Sequence, residues 1–204
     1  MISSLEMKIL AFVDLHENMK ALDTVKKKAK KADILVCAGD LTIFENKLKE
    51  ILKELDKLKK PILVIPGNHE DDSDLSALTK GMKNVTDIDK KHFVFNEYLF
   101  LGYGGGGFSI TDSDFDKIGK KFKKDIDKNK DKKIVLVTHA PPYKTKLDML
   151  GREHCGNKNI KKFIGKVRVD LAISGHLHEN SGKEDKIGKS LLVNPGPFGQ
   201  LIDV

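Results

Sequence analysis

Five short apolar runs constrain the fold of this chain more than any other feature: Lys8–Val13, Ile34–Cys37, Ile62–Ile65, Ile134–Val137 and Leu171–Ile173. They are dense in Ile, Val and Leu and barely alternate. A strand with one wet face alternates polar and apolar residues, whereas a strand covered on both faces does not. These runs therefore read as strands buried between layers. Segments with helical periodicity separate them. Glu17–Lys31 is one; in Phe44–Leu58, residues Phe44, Leu48, Ile51, Leu52, Leu55 and Leu58 form an apolar stripe. Phe115, Ile118, Phe122 and Ile126 mark a third helix, and Ile160, Phe163 and Ile164 a shorter fourth. The alternation predicts an α/β layer fold with βαβ units.

Two antiparallel pairs make the architecture mixed. His92–Phe95 and Tyr98–Leu101 flank Asn96-Glu97, and Lys183–Ile187 and Ser190–Val193 flank Gly188. No repeat or low-complexity linker interrupts the chain. Its 204 residues can bury a core without staples, so 1–204 reads as one domain.

Composition removes several classes. Two cysteines, Cys37 and Cys155, rule out a disulfide scaffold and a four-cysteine zinc site, and fit a cytoplasmic setting. The first residues show no basic, apolar leader, and no run is long enough to span a membrane. The net charge of +7 permits phosphate-bearing ligands without indicating nucleic acid. The lysine runs Lys26–Lys31 and Lys120–Lys124 read as solvated helix faces. With 6% aromatics and no Trp, a stacking platform for single strands lacks material.

The chemistry lies where the apolar runs end. The first leads into Asp14-Leu-His16, the second into Gly39-Asp40, and the third into Gly67-Asn68-His69-Glu70. The fourth leads into Thr138-His139 and the fifth into Gly175-His176-Leu-His178. Carboxyl ends of strands form the site-bearing edge of such sheets. Of seven histidines, five (His16, His69, His139, His176 and His178) fall in these segments; His92 and His154 do not. Imidazole with carboxylate suits Mn²⁺, Fe²⁺, Zn²⁺ and their neighbours, whereas an all-oxygen set would suit Mg²⁺ or Ca²⁺. Asp14 and His16 are two residues apart, as are His176 and His178, so an extended backbone would aim each pair one way.

In order and spacing, these five segments resemble the calcineurin-like metallophosphoesterase superfamily along nearly the whole chain. Gly104–Phe108, His139-Ala-Pro-Pro-Tyr143 and Val193-Asn-Pro-Gly-Pro197 resemble its small Icc-related branch of predicted phosphoesterases. The resemblance implies a four-layer α/β/β/α sandwich with mixed sheets and a dinuclear metal site. It implies Asp14, His16, Asp40 and His178 on one ion, and Asp40, Asn68, His139 and His176 on the other, with Asp40 bridging. His69 is implied to face the substrate as the catalytic acid. The implied reaction is hydrolysis of a small phosphoester, with phosphodiesters favoured and a metal-bridging hydroxide attacking phosphorus. Two divalent ions are required, Mn²⁺ first, with Fe, Zn, Ni or Co as substitutes.

Asp40 is followed by Leu41-Thr42 and Gly67 is preceded by Pro66, which departs from the serine/threonine protein phosphatases. The chain reaches Val204 soon after Pro197, which predicts a final sheet edge that is short or completed by a second subunit. A homo-oligomer is compatible with that. A nuclease acting on DNA or RNA is the alternative function, with a catalytically silent binding module as a further one. The retained histidines argue against the silent module. Gly102-x-Gly104-x-x-Gly107 matches a dinucleotide fingerprint literally but lies mid-chain, and reads instead as a rim loop whose amides could approach a phosphate. Arg152 and His154 are rim candidates, and Cys37 reads as core.

Overall fold

A computed structural model describes residues 7–44, 46–70 and 74–204. The leader reading of residues 1–6 lies outside them. In chain order the elements are β1 (Lys8–Phe12), α1 (Met19–Ala29), β2 (Ile34–Cys37), α2 (Leu48–Asp56), β3 (Ile62–Val64), α3 (Leu75–Thr79) and β4 (Val85–Asp87). Then come β5 (His92–Phe95), β6 (Tyr98–Tyr103), α4 (Ser113–Lys128), β7 (Lys133–Thr138), β8 (Met149–Leu150), β9 (Glu153–His154) and α5 (Lys158–Lys166). The last are β10 (Leu171–Ile173), a 3₁₀ turn at His178–Asn180, β11 (Glu184–Ile187), β12 (Ser190–Val193) and β13 (Gln200–Asp203).

One sheet has the order β13-β1-β2-β3-β4 and the other β11-β12-β10-β7-β6-β5. Both are mixed. β1 through β4 are parallel neighbours, while β13 closes the edge antiparallel to β1 with Ile9 opposite Ile202. Both expected hairpins form, Phe95 opposite Tyr98 and Ile187 opposite Ser190.

Successive side chains of a strand point to opposite faces, and here both faces are dry. Leu10, Phe12, Leu35 and Cys37 pack on Leu22, Val25, Leu52 and Leu55 of α1 and α2. Their neighbours Ile9, Ala11, Val36 and Leu63 meet Phe100, Val135, Val137 and Ile173 of the other sheet. That sheet's far face, with Leu101, Ile134 and Leu136, buries against Phe115, Phe122, Ile160 and Ile164 of α4 and α5. The layers are α/β/β/α, and this double burial explains why the apolar runs do not alternate. Helix starts follow ordinary capping: Asn18, Asp112 and Asn157 accept backbone N–H groups of α1, α4 and α5.

One expectation is corrected. α2 begins at Leu48, not Phe44; Lys47 before it is left-handed with φ 56°, and Phe44 is 78% exposed on the preceding loop. Of the two readings of the final sheet edge, the short one holds: the four residues of β13 add antiparallel to β1, and Val204 and Met7 exchange backbone hydrogen bonds.

Candidate metal centre

Residues that follow β1, β2, β3, β7 and β10 converge at one edge of the sandwich. Asp14 is 4% exposed, Asp40 2% and His139 0%. The expected extended geometry of the Asp14-x-His16 pair does not hold. Asp14 (φ 54°), His16 (φ 44°), Asp40 (φ 52°) and His176 (φ 69°) are all left-handed, and His178 opens the 3₁₀ turn. Side chains with a Cβ rarely adopt this region, and such positions gather at functional sites. Cross-strand bonds impose it: the N–H groups of Asp14 and His16 donate to the carbonyls of Gly39 and Asp40, each at 3.1 Å.

Close approach explains the glycine before Asn68. A Cβ on Gly67 would lie 1.9 Å from Asp40 Oδ1. Gly39, with φ 100°, also passes close to Gly67, whose nitrogen would stand 2.6 Å from a Cβ on Gly39.

The donors form overlapping groups. One ring nitrogen or carboxylate oxygen from each of Asp14, His16 and His178 lies within 4.8 Å of the others, and the same is true of Asp40, His139 and His176. A third group joins His16, Asp40 and His69. His69, expected to face substrate, therefore also stands near the donors. Asn68 Oδ1 lies 3.0 Å from His139 Nε2, which is 3.3 Å from Asp40 Oδ2.

Three observations fit this set to cations. Asp14 Oδ2 and His176 Nε2 are buried without a hydrogen-bond partner among the described residues, an arrangement that calls for a ligand. The ring of His139 is held by Nδ1–H donating to the carbonyl of Ala38 at 2.9 Å, and that of His16 by Nδ1–H donating to Thr42 at 3.1 Å. Both rings thus aim Nε2 inward, the orientation that metal-ligating histidines have. The inward Nε2 atoms of His16 and His178 lie 3.0 Å apart, close enough to share an ion.

Charge is uneven. Burial raises the Asp14 carboxyl above the usual range. Burial acts the same way on Asp40, but the hydrogen bond and charge of His139 prevail and hold it at about 2. Burial opposes a charged His139 as well, yet Asp40 lifts it to about 9. Burial, with His139 nearby, lowers His176 to about 4. Without metal, a proton on His139 faces the Asp40 carboxylate.

Glu70 lies in the Gly67-Asn68-His69-Glu70 segment, but its residue type and spacing reveal no role. Its buried carboxylate accepts the N–H groups of Asp40 (2.9 Å), Gly67 (3.0 Å) and Thr42 (2.8 Å) and the Thr42 hydroxyl (2.8 Å). It ties the loop after β2 to the loop after β3. Two phenylalanines also belong to the site. Phe44 sits 5.0 Å from the His69 ring and Phe108 4.4 Å from the His176 ring, centroid to centroid. Nothing local in the sequence separated them from core residues.

The rim candidates divide. Asp40, Asn68, His69, Phe108, Leu150, His176, Leu177, His178 and Glu179 line a pocket of about 270 Å³. The amides of Gly104 and Gly105 donate to Asp89 and Pro66, so these two do not face a phosphate; the loop carries Phe108 inward instead. His154 Nδ1–H donates at 2.7 Å to buried Asp148, and Arg152 is exposed at the turn between β8 and β9. Cys37 is fully buried, and burial raises its thiol well above the ordinary value.

Residues 7–180 match the calcineurin-like phosphoesterase family. The chain belongs to that family and is a metal-dependent phosphoesterase. It is 32% identical, over 96% of its length and 91% of the other's, to an uncharacterised protein of Methanocaldococcus jannaschii. It is 28% identical to a probable glycerophosphodiester phosphodiesterase of Arcobacter nitrofigilis, over 83% of this chain and 65% of that one. Its fold is similar to that of TT1561 of Thermus thermophilus, with a TM-score of 0.77 at 18% identity over 97% and 94% of the two chains.

Proposed function

We propose that this chain, as one domain spanning residues 1–204, hydrolyses small phosphodiesters at a dinuclear centre, with Mn²⁺ the favoured ion. The carrying observation is the pair of donor groups, Asp14–His16–His178 and Asp40–His139–His176, set side by side with orphaned Asp14 Oδ2 and His176 Nε2. In this reading Asp40 bridges the two, and Asn68 completes the second group. Mixed imidazole, carboxylate and amide donors suit Mn²⁺ and its neighbours. When bound, such ions acidify water and neutralise charge developing on phosphoryl oxygens.

The chain's own residues do the rest. Backbone carbonyls hold the Nδ1–H groups of His16 and His139, so each ring is already turned with Nε2 toward the centre, and His139 becomes a donor on giving up its second proton. Asn68 is neutral and leaves the centre positive toward a phosphate. The backbone N–H of His69 donates to Asp40 Oδ1 at 3.0 Å, placing the ring on the pocket wall, where it protonates the departing oxygen. The diester preference draws on the open pocket and on the likeness to the probable glycerophosphodiester phosphodiesterase of Arcobacter. No helix among the described residues is long and apolar enough to cross a membrane, and the free cysteines fit a reducing cytoplasm.

The test is hydrolysis of bis-p-nitrophenyl phosphate and p-nitrophenyl phosphate by metal-stripped protein, with Mn²⁺, Ni²⁺, Zn²⁺ and Mg²⁺ restored separately. Turnover of the diester with two ions per chain is expected. Full metal uptake with no turnover of either ester would overturn the reading.

A further inference from the structure

We propose that Phe44 and Phe108 select the substrate of this site, favouring phosphoesters whose substituent is an uncharged, planar aromatic ring. The inference rests on the phosphoesterase reading above and narrows it.

Isolated apolar side chains on a surface need no explanation. These two differ in placement. Phe44 is 78% exposed and Phe108 62% exposed, yet each rests on a histidine of the metal site. Phe44 lies tilted at 53° over His69, and Phe108 meets His176 edge-on at 69°. His69 and His176 both line the pocket that Phe108 walls, and Phe44, outside that lining, packs on the His69 ring, so the two rings flank two different pocket histidines. The remaining surface of each ring faces solvent.

The backbone is shaped to present them. Phe44 is left-handed at φ 49°, a conformation strained for a bulky side chain. Phe108 follows Gly105, Gly106 and Gly107, all at positive φ, a backbone region that residues with a Cβ rarely adopt.

The rest of the wall fixes the chemical class. Leu150 and Leu177 extend the apolar surface, and Glu179 adds an exposed carboxylate. A second anionic group on the substrate would meet that carboxylate. A polar polyol would bring hydroxyls against two aromatic faces without partners. A neutral planar ring satisfies both conditions, and rings stack favourably on aromatic side chains. An aryl ester and a nucleoside ester share this chemistry.

Calorimetric titration of the metal-loaded protein separates the possibilities. The probes are methylphosphonate, phenylphosphonate, deoxyribose 5-phosphate and thymidine 5′-monophosphate. Phenylphosphonate should bind roughly tenfold tighter than methylphosphonate, within the range of one aromatic stacking contact. A matching gain for thymidine monophosphate over deoxyribose phosphate would assign a nucleoside source, and its absence an aryl source. Phe44→Ala and Phe108→Ala should each reduce the gain, and the double variant should abolish it. Phe108→Leu, apolar but not planar, should lose most of it.

Equal binding of the ringed and ringless probes would overturn the selection while leaving the phosphoesterase reading intact. Failure of every probe to bind would overturn both. Loss of metal from the alanine variants would show that the rings merely hold the histidines, and would also overturn the proposal.

Discussion

Asp40 and Glu70 are joined by a buried hydrogen bond: the Asp40 N–H donates to Glu70 Oε2 at 2.9 Å. The same oxygen accepts the Gly67 N–H at 3.0 Å, so one carboxylate sets the spacing between two site loops. Glu70 is 2% exposed and touches no substrate surface. Its part is positioning.

Glu70→Ala should therefore destabilise the protein by about 2–4 kcal/mol, since buried donors are left unsatisfied. Metal affinity should fall with it. Urea unfolding and metal titration check the two effects. Glu70→Gln keeps one acceptor oxygen and should lose less of both.

His69→Asn should reduce turnover by roughly 10²–10⁴-fold, the usual range for one acid–base group. Metal content should remain at the wild-type level by elemental analysis. A drop in metal would instead place His69 among the ligands, a position its nearness to His16 and Asp40 makes worth checking. Asp40→Asn should lose metal and activity together.

Metal uptake should release a proton at neutral pH. His139 is raised to about 9 and so is protonated at pH 7 in the metal-free protein, while a ligand imidazole must be neutral. Asp40, at about 2, and His176, at about 4, are already deprotonated there. Affinity should weaken about tenfold for each pH unit that falls from about 9 toward 7, one proton being displaced. Above about 9 the dependence should flatten. Calorimetry in buffers of different ionisation enthalpy counts the proton; none released at pH 7 would contradict the assignment of His139.

Gly67→Ala should cost about 1–3 kcal/mol through overpacking. The added Cβ would fall 1.9 Å from Asp40 Oδ1 and push that carboxylate away from His139. Weakened metal binding with retained far-UV circular dichroism is the expected signature.

Much of this was legible in one dimension. The runs Ile34–Cys37 and Leu171–Ile173 coincide with β2 and β10, and both hairpins pair around the turns read from the chain. Burial on both faces writes itself into a strand as missing alternation, a local signal. Phe44 misled because it stands at helical spacing from Leu48. The left-handed residue Lys47 breaks that helix, and spacing does not report backbone handedness. Short elements such as α3, β4 and β8 carry too few residues for a period to show.

By itself the sequence determined that its five apolar runs become strands and which polar residues follow them, since both depend on the order of neighbouring residues. Tertiary structure alone decided which of those residues meet. Asp14 receives the N–H of His176 across 162 positions, and Glu70 reaches Asp40 across 30. Stacking of the two sheets brings Asp14 to His176, and the parallel pairing of β2 with β3 brings Asp40 to Glu70. Hydrogen bonds between the segments after β1 and β2 hold Asp14 and His16 left-handed, and distant loops set Phe44 and Phe108 on His69 and His176. Contacts between distant segments follow from how layers pack, and no local pattern encodes them.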